Sequence, residues 1–220
     1  MVIKIAVATN INFYTHSLPI LINSLLDAGI NKKDIFIFNS GFPENKSELI
    51  DGIQHYYLNQ NSYEYSPLIE IVSMELESDY WFLIHDTCKV GPKFKELLYN
   101  IPDNLPEKLA LKTWPAMSMG SYRYDYLVSI KHIILPIKNE NLSFDSLMHW
   151  KNWGVPNEDY ILWKTHPEPF VYNNNNNWGV VDYENWYNTG TVRRTEYYES
   201  LDLYKNKSNW GEGRPMTIEL

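Results

Sequence analysis

The sequence predicts an α/β protein: a mostly parallel sheet flanked by helices, with an aromatic, Asn-rich C-terminal elaboration. Three observations predict it. Residues 2–8, 16–28 and 34–38 run as a β-branched segment, a segment with apolar residues at helical spacing, and a second β-rich segment. That succession is a βαβ unit and implies parallel pairing with a crossover. Residues 80–84 (Tyr-Trp-Phe-Leu-Ile) form an unbroken apolar and aromatic run, the length and composition of a strand buried on both faces. From Asn139 onward the texture shifts to Trp, Tyr, Asn and Pro, which divides one domain into residues 1–138 and 139–220.

The elements follow in order. Thr9 and Asn10 end the first strand with polar groups. Leu18, Leu21, Ile22, Leu25 and Leu26 give the first helix its apolar face, and Gly29 is placed to close it. The second strand stops at Asn39-Ser40-Gly41. Residues 47–53 read as a weak helical or turn segment and 55–58 as a short strand, while 59–66 read as a polar loop on the ligand side. Residues 67–77 have a good helical period, with Pro67 near the first helical position. After the central run, Phe94, Leu97 and Leu98 make a short amphipathic helix, and 109–114 a further strand. Residues 130–136 fit either strand or helix; 173–177 are a low-complexity Asn run, and 193–203 read as a last helix.

Composition narrows the function. A net charge of −8 argues against a general nucleic-acid binder, which presents a basic face. One cysteine, Cys88, excludes an internal disulfide framework and fits a reducing compartment. Residues 1–10 lack the basic and long apolar regions of a signal peptide, and no apolar run approaches the ~20 residues of a membrane span. A cytoplasmic location is the expectation. No GxGxxG follows the first strand and no GxxxxGK[ST] occurs, which disfavours the usual dinucleotide fold and the P-loop.

The chemistry is sought where the central run breaks off, at His85-Asp86-Thr87-Cys88. Ligands of open α/β sheets bind beyond the carboxyl ends of strands, and a carboxylate there can hold a hard cation that binds a diphosphate. The plainer reading is an Asx-turn. Further along, Asn157 fits an N-cap, with Glu158 and Asp159 in the first turn of a helix burying Ile161 and Leu162. Acids there complement the helix dipole without further purpose.

Together these stretches resemble the GT-A glycosyltransferases. Asp86 matches the first aspartate of their "DxD" strand end, Cys88 stands at the last, and Trp153-Gly154 with Glu158-Asp159-x-x-Leu162 resembles their "xED" motif. Gly120, in Met119-Gly120-Ser121-Tyr122, is similar to the glycine loop between those motifs. The strand-helix-strand unit, the strand-end acid, the glycine and the Glu-Asp pair occur in the family's order over residues 2–165. The resemblance implies a GT-A-like (Rossmann-like) fold and transfer of a hexose or deoxyhexose from a UDP- or GDP-linked donor to a hydroxyl of a glycan or other acceptor, with inversion. It implies Asp159 as the base and Glu158 as an acceptor-binding or supporting residue. Thr9, Asn10, Asn39, Ser40, Gly41, His85, Asp86 and Gly120 would line the donor site. Asp86, with Cys88 and His166, would hold Mn²⁺ or Mg²⁺. The departure at Cys88 weakens the metal expectation, since a lone Cys is commonly a small buried hydrophobe. Arg123 and Asp125 either contact the sugar or pair with each other, and Arg193-Arg194 either reach the diphosphate or decorate the last helix. Two other readings stand beside the transferase. One is a non-catalytic carbohydrate- or nucleotide-binding protein on the same fold. The other is a sugar nucleotidyltransferase, disfavoured because residues 9–17 lack the glycine-rich basic loop of such enzymes.

Overall fold

The computed structural model describes residues 1–11, 14–15, 17–62, 65–86, 88–99, 101, 103, 105, 107–110, 120–139, 170–171 and 192–194. The strands are β1 (Ile3–Asn10), β2 (Ile35–Ser40), β3 (Lys46–Ile50), β4 (Ile53–Leu58), β5 (Tyr80–His85), β6 (Cys88–Val90), β7 (Lys108–Ala110), β8 (Gly120–Arg123), β9 (Phe170–Val171) and β10 (Val192–Arg194). The helices are α1 (Leu18–Asp27), α2 (Tyr65–Ser73), α3 (Phe94–Leu98), α4 (Tyr124–Ser129) and α5 (Lys131–Ile134), with 3₁₀ turns at Lys32–Asp34 and Leu135–Asn139.

Eight strands form one sheet in the order β3-β4-β2-β1-β5-β8-β7-β9, and β6 pairs with β10 in a separate ribbon. The sheet is mixed but mostly parallel, because β3 and β8 alone run against the rest. From β1 the chain crosses by α1 to β2 and moves outward to β4. It then returns by α2 to β5 on the other side of β1. The strand order therefore reverses between β1 and β5, and a crevice at the carboxyl ends of those strands follows from that reversal.

Alternation along the strands builds two cores. Ile3, Ile5 and Val7 of β1, Ile35 and Ile37 of β2, and Tyr80, Phe82 and Ile84 of β5 bury against Leu18, Leu21 and Leu25 of α1. The intervening Ala6, Ala8, Phe38, Trp81 and Leu83 pack on Leu68, Ile69, Ile71 and Val72 of α2 and on α4 and α5. Both faces of β5 are thus covered, as its unbroken apolar sequence requires. Trp81 is buried whole, its indole N–H donating to the Leu76 carbonyl at 3.0 Å. Helix α1 ends where Gly29 takes φ +83°; the Gly29 and Ile30 N–H groups donate to the Leu26 and Leu25 carbonyls, a Schellman closure.

Several expectations are corrected. Residues 47–53 are no helix: Lys46–Ile50 forms the exposed edge strand β3, joined to β4 through Asp51 and Gly52 at φ 49° and 84°. Two positive φ values in a two-residue connection match the right-handed twist of a hairpin. Helix α2 begins at Tyr65, inside the expected loop, so Pro67 is its third residue. Gly120 opens strand β8 opposite Leu83, not a loop. Residues 130–136 resolve to helix, in α5 and the turn that follows. Val192–Arg194 is strand β10, its residues Arg193 and Arg194 in register with Lys89 and Cys88 of β6. The expected strand at 109–114 starts at Lys108, and its residues 111–114 lie outside the described residues. No helix among the described residues is long and apolar enough to cross a membrane.

Candidate functional site

Strands β1, β2 and β5 end together in a polar row. Thr9 is level with Asn39 in the β1–β2 register, and Asn39 is level with Tyr57 of β4. Thr9 continues the face of Ile5 and Val7, so this row caps the α1-side core. Asp86, one residue past β5, joins it from the other side of β1.

The Asp86 side chain is 4 % exposed, yet it is a hydrogen-bonding hub. Its Oδ2 accepts the Thr9 hydroxyl at 2.5 Å and the Ser17 hydroxyl at 2.8 Å, while its N–H donates to the Ala8 carbonyl at 3.0 Å. A carboxylate taken from water needs such donors, and bonds to a charged acceptor are the stronger kind. Ser17 stands at the N-cap of α1, but its hydroxyl is directed to Asp86 and makes no capping bond. The carboxylate therefore ties together the end of β1, the start of α1 and the end of β5, the three elements that frame the switch-point crevice.

Asn39 and Ser40 are fully buried at the end of β2. The Asn39 amide N–H reaches the Tyr56 carbonyl only at 3.4 Å, while Asn39 Oδ1 and Ser40 Oγ lack hydrogen-bond partners among the described residues. Buried polar atoms are rarely left so, and a partner from outside the described residues, a water or a ligand would complete them. Gly41 takes φ +81°, donates its N–H to the Gln60 carbonyl at 3.0 Å, and has Ile11 Cγ2 3.5 Å from where a Cβ would stand. Asn10 and His85 are half-buried last residues of β1 and β5, with His85 level with Ala8. His85 continues the face of Trp81 and Leu83, so by alternation it lies on the α2 side, away from Asp86. Gly120 is buried at the same carboxyl edge, because β8 starts beside the end of β5.

Beside Asn39 stands an aromatic group. Phe42 packs edge-on against both Tyr14 and Tyr57, at 5.5 and 4.9 Å between ring centres, and the Lys46 ammonium lies 4.4 Å from the centre of the Tyr57 ring. His55 stacks on Tyr57, its Nδ1 buried without a hydrogen-bond partner among the described residues, and burial pushes its pKa below the ordinary 6.5 against an opposing effect of Glu48. Burial likewise raises the Tyr57 hydroxyl, with Glu48 adding to the shift.

A hard divalent cation takes oxygen ligands, and Asp86 with the Thr9 and Ser17 hydroxyls offers oxygen at one point. Cys88 differs: its side chain is buried in the α1-side core among Ile84, Val90 and Phe94. Its soft sulfur suits neither that ion nor that setting as a ligand. Among the described residues no group of three or more His, Cys, Asp or Glu side chains could hold a metal, so further ligands would come from outside them. Glu158, Asp159 and His166 lie outside the described residues. Arg123 and Asp125 pair with each other at 2.5 Å on the surface. Reading the sequence alone missed Ser17, whose signal is only a serine at a helix start, and the Tyr14–Phe42–Tyr57 group.

No family profile matches the chain, and no curated protein is significantly similar to it in sequence. Solved structures similar to it include S. aureus TarS 1-349 (10% identity, TM-score 0.48, over 76% of this chain and 57% of that one). Also similar are S. aureus TarS (11% identity, TM-score 0.48, 79% and 35%) and TarS 1-349 in complex with UDP (11%, 0.44, 76% and 57%). The chain thus spans between about a third and three-fifths of the length of these proteins.

Proposed function

We propose that the protein is a nucleotide-sugar-dependent glycosyltransferase whose donor binds at the carboxyl edge of β1, β2 and β5. The observation that carries this reading is the polar row at the strand-order reversal. Asp86, Thr9 and Ser17 are locked together there, with the unmatched Asn39 Oδ1 two strands away from β5. The GT-A resemblance of the sequence puts its strand-end acid at that same point.

In this reading Asn39, Ser40 and Gly41 receive the nucleoside, since a buried amide oxygen selects an N–H donor and Gly41 brings backbone close to the ligand. The diphosphate lies over the ends of β1 and β5. Mn²⁺ or Mg²⁺ belongs to the proposal at Asp86, with His166 as a further ligand, and when bound supplies charge to the leaving diphosphate. The chain's own residues do the rest. Asp86 holds the Thr9 and Ser17 edge in place, Asp159 takes the acceptor hydroxyl's proton, and Glu158 supports it. A sugar hydroxyl is a poor nucleophile, so a base opposite the leaving group is what an inverting displacement requires. Location in the cytoplasm, a UDP- or GDP-linked donor and a glycan acceptor complete the reading.

The test is release of nucleotide from a panel of UDP- and GDP-sugars with mixed glycan acceptors, by wild type, Asp159→Asn and Asp86→Asn. Acceptor-dependent release by wild type, lost in Asp159→Asn, is expected. Nucleotide binding without release from any donor would favour the non-catalytic binding protein. Sugar-1-phosphate and nucleoside triphosphate converted to nucleotide-sugar would favour the nucleotidyltransferase.

A further inference from the structure

Away from the strand-end row, α2 carries a buried acid that the proposed chemistry does not use. Glu70 is 2 % exposed and faces the loop between β4 and α2. Its Oε1 accepts the Lys138 ammonium at 2.8 Å and the Gln60 side-chain amide at 3.1 Å, and its Oε2 accepts the Ser73 hydroxyl at 3.2 Å. Gln60 is held at its other end too, because its Oε1 accepts the Ser62 hydroxyl at 2.8 Å. A carboxylate only accepts and a hydroxyl here donates, so the amide has one permitted orientation. The backbone of the same residue reaches the strand-end row: Gln60 O accepts the Gly41 N–H at 3.0 Å. Next to Gly41 is Ser40, whose buried hydroxyl has no hydrogen-bond partner among the described residues.

We infer that Glu70 is a positioning residue for the donor pocket. Anchored by Lys138, it fixes Gln60, and Gln60 fixes the Ser40–Gly41 turn in the conformation a nucleoside meets. This rests on the donor-site reading given above. Lys138 lies in the 3₁₀ turn Leu135–Asn139, so the same ion pair ties that turn to the pocket's edge. The pair is half-buried, with the Lys138 side chain 36 % exposed, and such a pair contributes little net stability. Specifying the geometry of a polar turn is a role it can fill.

The experiment measures hydrogen exchange at the Gly41 amide and calorimetric affinity for UDP and GDP. It compares wild type, Glu70→Gln, Lys138→Met, and Glu70→Gln combined with Gln60→Glu. Glu70→Gln is expected to speed Gly41 exchange relative to β1 amides and to weaken the bound nucleotide about tenfold, the scale of one lost charged hydrogen bond. Exchanging the two side chains restores an amide–carboxylate pair, and with it most of the affinity; general destabilisation would not be repaired this way. Where Glu70→Gln does not fold, Lys138→Met carries the same comparison. A wild type that binds nucleotide while the folded variants bind it equally well overturns the role of Glu70 alone. A wild type that binds neither nucleotide overturns the donor-site reading, and this inference with it.

Discussion

Removing the Asp86 carboxylate tests the structural half of the account. Asp86→Ala deletes the acceptor of two hydroxyl bonds, at 2.5 Å from Thr9 and 2.8 Å from Ser17, at a point where Thr9 is 5 % exposed and Ser17 fully buried. Bonds to a charged group contribute about 1.5–3 kcal/mol each, and a buried hydroxyl left without its acceptor costs about 1–3 kcal/mol. The expected loss for Asp86→Ala is therefore about 3–4 kcal/mol, large against the ~5–15 kcal/mol of a typical domain. Asp86→Asn keeps an acceptor oxygen and gives up the charge, so about 1–2 kcal/mol is expected. Urea unfolding at pH 7 measures both, and an unchanged m-value would show that the unfolded state is not the cause. A double-mutant cycle of Asp86→Asn with Thr9→Val should show coupling of at least ~0.5 kcal/mol. If Asp86→Ala unfolds within ~0.5 kcal/mol of wild type and shows no coupling to Thr9, the carboxylate is not the clamp described here.

Three further outcomes are expected. Burial pushes Lys108 from 10.5 down to about 8, so between those values the unfolded chain holds a proton the folded chain has released, and stability rises with pH. Lys108→Met should flatten that rise and raise stability at pH 7 by about 2 kcal/mol in urea unfolding, the charge having been costly to bury. His55 is held below 6.5 by burial, so its contribution is complete above that pH and declines as pH falls through the gap between the unfolded and folded values. His55→Phe should lessen the loss of thermal stability between pH 6.5 and 5. Gly29→Ala should cost about 1–2 kcal/mol through φ +83° alone, because a Cβ there meets Lys95 Cδ at an ordinary 3.6 Å.

The elements legible in the sequence were those whose burial dictates composition. β5 is apolar from Tyr80 to Ile84 because both its faces are covered there, and α1 announces itself through Leu18, Leu21 and Leu25 and the Gly29 stop. β3 gave no such signal, since all five of its residues are exposed and nothing imposes a period on them. The one cue to it is the Asp51-Gly52 dipeptide, a strong hairpin-turn signal. β10 was hidden in another way: a three-residue strand takes its conformation from β6, about a hundred residues earlier, and not from its own sequence. The site divides similarly. Thr9, Asn39 and Asp86 could be placed at strand ends because each follows an apolar run. Ser17 meets Asp86 across 69 residues, a contact that exists only once β1 and β5 lie side by side. In the sequence nothing sets Glu70 apart within the helical period of residues 67–77, and only the fold brings Gln60 and Lys138 to it.

The central claim is that a nucleoside diphosphate binds at the carboxyl edge of β1, β2 and β5. Hydrogen exchange of wild type with and without saturating UDP or GDP tests it most directly, in the presence and absence of Mn²⁺. One of the two nucleotides should slow exchange at Thr9, Asn10, Asn39, Ser40, Gly41 and Asp86, with the β3–β4 hairpin unchanged. Protection confined to other segments, or none with either nucleotide under either condition, would contradict it.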